Sequence, residues 1–141
     1  MKAVVVLLVA GIAARADIHA VKAELNLEKR SDRALQNAEQ ALDRARDAYQ
    51  KGDDDTFKAD LDELGQSMDL CKQSLDESGK NARKNPKYFK KAEMGMRHLI
   101  RRLDNFKIEL SVDDRDPVEK LIDTAHRLQD EILHAIMGKK K

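Results

Sequence analysis

The chain has 141 residues, which is enough for one domain of ordinary size and too few for two. Charged residues make up 38% of it and aromatic residues 4%, a composition that favours long, surface-charged helices over strands. The 27 Lys and Arg residues against 26 acids leave a formal net charge of +1, which excludes bulk attraction of the whole molecule to polyanions or membranes. An electrostatic partner must therefore be bound by a local patch.

The N-terminus has the order of a secretory signal peptide. Lys2 is followed by an apolar run at residues 3–13 and then by Ala-Arg-Ala at residues 14–16, an Ala-x-Ala cleavage site. The run is too short to anchor the mature protein in a bilayer, which needs about 20 apolar residues. We expect residues 1–16 to be a signal peptide and the protein to be exported, to the periplasm or the extracellular space. The alternative is that the run is a buried helix or strand of the mature domain.

Residues 17–30 form a separate N-terminal segment. Ile18, Val21 and Leu25 make a brief apolar stripe, but continuing its register puts Glu28 and Asp32 on the apolar seam. We therefore predict that this segment is distinct from the helix that follows it. It is either a short helix lying on the domain or a flexible tether.

Four later segments repeat apolar residues at spacings of three and four, the pattern of helices that pack along narrow seams. Asn85-Pro86 and Asp116-Pro117 each place a capping residue before a first-turn proline. We predict helices at residues 31–51, 54–78, 86–111 and 117–137. Short connections make consecutive helices antiparallel. The predicted fold is all-α, an antiparallel up-down-up-down four-helix bundle over residues 31–141. The seam of the fourth helix is Val118, Leu121, Ala125, Leu128, Ile132 and Ala135.

In its export signal, size and four-helix layout, the chain resembles the small periplasmic haem bundles, cytochromes b562 and c′. Their haem-binding residues are missing, because the sequence has no Cys-x-x-Cys-His and no histidine on a predicted seam. We therefore expect no cofactor. The C-terminal half, from KNARKNPKYFKKAE through RRLDNF to SVDDRDPVEKL, also resembles a group of small exported bacterial helical-bundle proteins of unassigned function. That resemblance supports the helix boundaries.

The sequence contains little that points to catalysis. Cys71, the only cysteine, occupies a seam between Met68 and Leu75, where we expect it to be buried as a small hydrophobic residue. None of the serines lies in a G-x-S-x-G nucleophile elbow, and no phosphate-binding glycine loop is present. We predict that the protein is not an enzyme and has no catalytic residues.

Two pairs of side chains raise the question of a metal site. Glu131 and His134 match half of a di-iron motif, but they lie on the face opposite the seam, whereas a bundle-core site needs inward ligands. Met94 and His98 lie one turn apart on the outer face of the third predicted helix, and they are the weak alternative as ligands of a metal such as copper. The main prediction is that no metal is bound.

Six bases and no acid lie in the twelve residues KNARKNPKYFKK, at positions 80–91. In an up-down-up-down bundle this stretch shares one end with the lysines at 139–141. Two acidic turns, at 53–55 and 113–116, share the other end. We call the bases of the stretch the basic pole: Lys80, Arg83, Lys84, Lys87, Lys90 and Lys91. The pole is either a binding surface or a solvated charged end.

These observations favour an exported, non-enzymatic helical bundle that acts as a binding or structural protein of the cell envelope. Its contact would be the basic pole, with a protein or an anionic envelope component as partner and with nucleic acid excluded by export. The second class is a small-ligand or metal-binding bundle that uses Met94, His98 or the aspartates of the acidic turns. The biological process and the oligomeric state do not follow from the sequence.

Overall fold

The computed structural model describes residues 17–138, so the predicted signal peptide and the last three lysines lie outside the described residues. Over this range the chain is helical and has no strands. The elements are α1 (Asp17–Lys22), α2 (Leu27–Gln50), α3 (Asp54–Glu77), α4 (Pro86–Glu109), a 3-10 turn (Val112–Asp114) and α5 (Asp116–Met137). The four long helices, α2 to α5, confirm the predicted all-α four-helix bundle.

Side-chain hydrogen bonds explain where α2 and α3 begin, whereas α4 and α5 begin at a first-turn proline, and the predicted caps Asn85 and Asp116 make no such bond. Helix α2 starts at Leu27, ahead of the predicted start at residue 31, because the Asn26 side chain accepts a hydrogen bond from the backbone N–H of Lys29. Asp53 caps α3 in the same way through the backbone N–H of Thr56, at 3.1 Å. The sequence prediction started α2 too late, because an earlier start would have placed Glu28 and Asp32 on the apolar seam.

The long helices form two antiparallel hairpins, α2–α3 and α4–α5, which pack side by side. Helices α2 and α4 are neighbours and run in the same direction. Asp32 pairs with Lys91 near the start of both helices, and Arg46 pairs with Glu109 near the end of both. Chain direction alternates along the sequence as predicted, but not every neighbouring pair is antiparallel.

The order around the bundle is α2, α3, α5, α4. Helix α3 runs parallel to α5, with Lys72 Nζ 3.6 Å from Glu131 Oε1, whereas the consecutive helices α3 and α4 lie on a diagonal and touch little. The connection at residues 78–85 is the longest of the three between the long helices, and it carries the chain across this diagonal. Sequence periodicity does not predict the order of the helices around the bundle, because all four seams are apolar and any two of them could pack together.

One hydrophobic core runs through the bundle and buries most of the predicted seam residues. Among the exceptions, Tyr49 of α2 and Leu121 of α5 are half-buried and Ala135 of α5 is exposed. In α5, Ile122 is buried and Ile136 packs against the core. Both phases have the three-four spacing and share four buried residues, Val118, Ala125, Leu128 and Ile132. Spacing alone could therefore not decide which of the two phases faces inward.

Helix α1 lies on α2 and α3 through the buried side chains of Ile18 and Val21. Of the two alternatives for the N-terminal segment, the structure contains the short packed helix. Leu25, the third member of the predicted stripe, is exposed in the link to α2. The stripe therefore ends with α1.

Charged side chains join neighbouring helices along their edges. Between α2 and α4, the Arg102 guanidinium pairs with the carboxylates of Glu39 and Asp43. Between α2 and α3, Arg44 donates to Glu63 at 2.9 Å. The Arg102–Glu39 and Arg44–Glu63 pairs are partly buried, which makes them less screened by salt than fully exposed pairs.

A buried carboxylate joins the two helices of the second hairpin. Glu93 of α4 accepts hydrogen bonds from Arg97 at 2.5 Å and from Gln129 of α5 at 2.6 Å. Burial raises its pKa, but the two hydrogen bonds and the Arg97 charge outweigh burial, so the net pKa lies below its ordinary value. The carboxylate is therefore ionised and paired at neutral pH.

Two glycines lie inside helices where neighbours approach closely. A Cβ added at Gly95 of α4 would lie 2.6 Å from Leu35 Cδ1 of α2, whereas a Cβ added at Gly65 of α3 would lie 3.2 Å from Leu121 Cδ2 of α5. Gly95 thus lets α2 and α4 pack closely, which a merely tolerated glycine would not do. Gly65 leaves nearly enough room for a methyl group.

We expect Gly95→Ala and Gly65→Ala to change the free energy of unfolding by different amounts. Alanine gains about 1 kcal/mol of helix propensity at either site, but overpacking against buried Leu35 costs about 1–3 kcal/mol. G95A should therefore be less stable than G65A by about 1–2 kcal/mol in urea unfolding. Equal stabilisation of the protein by both substitutions would show that α2 and α4 are not closely packed at this point.

Candidate binding surface at the basic end

The turn that carries the first bases of the pole is held by hydrogen bonds. The Asn81 side-chain oxygen accepts from the backbone N–H groups of Arg83 at 2.9 Å and Lys84 at 3.2 Å. Ala82 is buried between them and attaches the turn to the core. Lys80, Arg83 and Lys84 remain exposed around this buried residue. The structure therefore presents the bases from an ordered turn.

Two lysines of the pole are paired with acids at the start of α2. Lys80 Nζ lies 2.8 Å from Glu28 Oε1, and Lys91 Nζ lies 3.3 Å from Asp32 Oδ2. These pairs join the turn and the first part of α4 to α2. Their charges are balanced within the fold, so they add little net positive potential to the surface.

Arg83 closes over the C-terminus of α5. Gly138 ends that helix with φ of 67° and donates its N–H to the carbonyl oxygen of His134. A Cβ at residue 138 would lie 2.3 Å from Arg83 Cδ, so the glycine also makes room for this side chain. A guanidinium at a helix C-terminus is stabilised by the helix dipole. The Arg83 side chain therefore lies against the end of α5, although it forms no ion pair with residues 17–138.

The remaining three bases, Lys84, Lys87 and Lys90, are exposed and form no ion pair with any residue from 17 to 138. Lys87 Nζ lies 5.2 Å from the centre of the Tyr88 ring, which is half-buried against the core. The pole is thus a group of six neighbouring bases, of which folding accounts for three. The three unpaired lysines and Arg83, which also has no acid partner within residues 17–138, supply its net positive charge.

Charge is also divided between the long sides of the bundle. Helix α4 contains seven Lys and Arg residues and three acids, a net charge of +4. Helix α3 contains two and eight, a net charge of −6, and α5 contains two and five, a net charge of −3, while α2 is balanced with five of each. Since α3 lies beside α5, the bundle has an acidic side formed by these two helices. Helix α4 lies diagonally opposite the most acidic helix.

The two acidic turns lie side by side at the end of the bundle opposite the pole, as predicted. The Tyr49 hydroxyl donates to Asp114 Oδ2 at 3.1 Å and accepts from the backbone N–H of Ser111 at 2.9 Å. Asp53 caps α3, and its hydrogen bonds from Thr56 hold its pKa below the ordinary value. Capping and turn hydrogen bonds thus account for part of this acidic cluster.

The alternative metal ligands, Met94 and His98, lie on the outer face of α4. Met94 is 65% exposed, and His98 Nε2 lies 3.9 Å from Glu39 Oε2, a carboxylate that already binds Arg102. Within residues 17–138, no group of three or more His, Cys, Asp or Glu side chains is placed to hold a metal ion. The carboxylate beside His98 is therefore already paired with a guanidinium.

A shallow apolar groove on the acidic side is the best-formed candidate for a small ligand. It has a volume of about 270 Å³ and lies between α3 and α5, with Leu61, Pro117 and Leu121 at its floor. Lys58 and Lys120 stand at its rim, and each is paired with the aspartate four residues before it in the sequence. Asp62 also lines the groove and accepts a hydrogen bond from Gln66, so the groove combines apolar contact with one carboxylate that has no ion pair within residues 17–138.

Cys71 is fully buried in the core of the bundle, as the seam predicts. Burial raises the pKa of its thiol to about 12, so the thiol is protonated at neutral pH. A protonated, enclosed thiol is a poor nucleophile. Cys71 therefore behaves as a packing residue.

Comparisons with family models, with well-characterised proteins and with solved structures find no match for this chain. The resemblances seen in the sequence stay expectations. Across residues 17–138, none of the helices combines the length and the apolar character that crossing a bilayer requires.

The buried thiol predicts a pH dependence of stability. Above pH 9.0 the unfolded thiol ionises while the folded thiol, with its pKa near 12, stays protonated, so the wild-type free energy of unfolding should fall as pH rises through this window. The slope is at most about 1.4 kcal/mol per pH unit. Cys71→Ala removes the ionisable thiol. The cavity that it leaves lowers the free energy of unfolding by an amount that does not depend on pH. Urea unfolding at pH 8 and at pH 10.5 should show the gap between wild type and C71A shrinking by about 2 kcal/mol. A gap that stays constant with pH would contradict the burial of this thiol.

Proposed function

We propose that the protein is an exported, non-enzymatic helical bundle that binds an anionic component of the cell envelope through its basic pole. The observation that carries this proposal is the group of Lys84, Lys87 and Lys90, three exposed bases without an acid partner on an ordered turn and the helix it starts. Lys80 and Lys91 support the group by holding the turn in place, and Arg83 lies against the end of α5.

The expected affinity follows from the number of unpaired bases. A base next to an anionic surface contributes about 1 kcal/mol, so three contribute about 3 kcal/mol before any apolar contact. Binding should therefore be weak for one molecule and should decrease as salt rises, since exposed charges are screened within about 10 Å at 0.1 M salt. The predicted export signal supports an envelope partner over nucleic acid.

The acidic side of the bundle supports a defined orientation. Helices α3 and α5 repel an anionic surface, so the protein would approach such a surface with α4 and the pole foremost. Net charge alone would not produce this preference, because the whole chain is nearly neutral.

We expect charge reversal of the three unpaired lysines to weaken binding by at least about tenfold, because each change removes an attraction and adds a repulsion. The variant is K84E/K87E/K90E. Retention on anionic vesicles and on peptidoglycan, measured by co-sedimentation at about 50 mM and about 300 mM salt, gives the readout.

The matched control is K51E/K58E/K120E, which changes the net charge equally. These three lysines lie near the other end of the bundle and pair with Asp47, Asp54 and Asp116. The control should bind like wild type, and thermal unfolding should show that both variants are folded. The proposal would be contradicted if wild type and the pole variant were retained equally, or if the pole variant and the control lost retention equally.

A further inference from the structure

One side of α4 continues the positive surface away from the turn. At about 100° per residue, seven exposed residues point within about 40° of the direction away from the core. We call them the α4 strip: Lys87, Lys90, Met94, His98, Arg101, Asn105 and Ile108. The strip is about 30 Å long at the usual helical rise.

The strip combines unpaired bases with exposed apolar side chains. Lys87, Lys90 and Arg101 form no ion pair with residues 17–138, and Met94 and Ile108 are 65% and 72% exposed. No acid interrupts the strip. Met94 lies between the bases and Ile108 lies beyond them. The strip thus offers both contributions to binding at an anionic membrane interface, apolar area and electrostatic attraction.

None of the three acids of α4 belongs to the strip, and two of the three are paired. Glu93 is buried and bound by Arg97, and Glu109 pairs with Arg46 of α2. Asp104, the third acid, is exposed, forms no ion pair within residues 17–138 and lies three residues from Arg101, so the strip keeps a net positive charge from its three bases.

The outer face of α3 is acidic, in contrast to the positive α4 strip. Asp55, Asp62, Asp69 and Asp76 are exposed and recur every seven residues, so they form an acidic row along that helix. Because α3 lies diagonally opposite α4, this row points away from any surface that α4 touches. An anionic plane thus attracts one side of the bundle and is repelled by the far side.

We infer that the α4 strip is a lipid-binding surface, on which the bundle lies side-on against an anionic bilayer. Lys87, Lys90 and Arg101 would contact headgroup phosphates, and Met94 and Ile108 would enter the boundary between headgroups and acyl chains. This inference rests on the proposed function and identifies its anionic partner. A bilayer fits better than a soluble polyanion, because a polyanion offers no apolar phase to the two exposed hydrophobic side chains.

The chain contains no tryptophan, so a single introduced tryptophan reports on depth without background. We choose M94W and I108W on the strip and, as control, Q73W at an exposed site on α3. With vesicles of phosphatidylglycerol and phosphatidylethanolamine, M94W and I108W should show blue-shifted emission and quenching by lipids brominated in the acyl chain. Q73W should show neither, and neutral phosphatidylcholine vesicles should have no effect.

Two further variants separate a side-on contact from contact through the turn alone. M94S/I108S and R101E alter exposed residues outside the turn, so the fold should be kept. Each should weaken vesicle binding, M94S/I108S by about tenfold. M94S/I108S should leave binding to polyphosphate, a soluble polyanion, unchanged.

The outcomes distinguish this inference from the proposed function. If vesicle binding needs Lys84, Lys87 and Lys90 but ignores M94S/I108S and R101E, and M94W and I108W stay in water, the side-on inference is wrong and the proposed function stands. If wild type binds neither anionic vesicles nor peptidoglycan nor polyphosphate at low salt, both fail. A blue shift that depends on protein concentration and needs no vesicles would assign the strip to a second copy of the chain and overturn the inference.

Discussion

The parallel contact between α2 and α4 is the constraint on which the arrangement of this bundle depends. Gly95 allows Leu35 to approach, and Arg102 binds Glu39 and Asp43 along the same edge. Burial lowers the pKa of Arg102, but the two carboxylates raise it above its ordinary value, so the guanidinium is held in its charged form. Once α2 lies beside α4, the hairpins must stack with α3 beside α5, and α3 and α4 become diagonal.

This order of helices decides how charge is displayed. Helix α3 is the most acidic of the four and α4 the most basic, and a diagonal arrangement keeps them as far apart as the bundle allows. Had they been neighbours, their side chains would have paired across the interface and the two sides would have been nearly neutral. The nearly neutral chain therefore has a strongly divided surface, and the division lies across the bundle as well as between its ends.

The basic pole shows how one run of similar residues can serve two purposes. Lys80, Arg83 and Lys91 contact α2 and the end of α5, which positions a long connection that has few apolar residues of its own. Lys84 and Lys87 stand beside them without such contacts. The paired bases give the turn its order, and that order presents the unpaired ones as a fixed group rather than as a mobile tail.

The sequence by itself determined the helical class, the four long helices, the burial of Cys71 and the two charged ends, because periodicity and capping act over one or two turns of chain. It did not determine the start of α2, where one Asn26 hydrogen bond decides, or two of the six seam positions of α5, where two registers fit the same spacing. Only the tertiary structure decided which helices are neighbours and which bases are paired. The ion-pair partners lie tens of residues apart in the chain. An apolar seam can pack against any other apolar seam, so the sequence pattern does not specify which helices are neighbours.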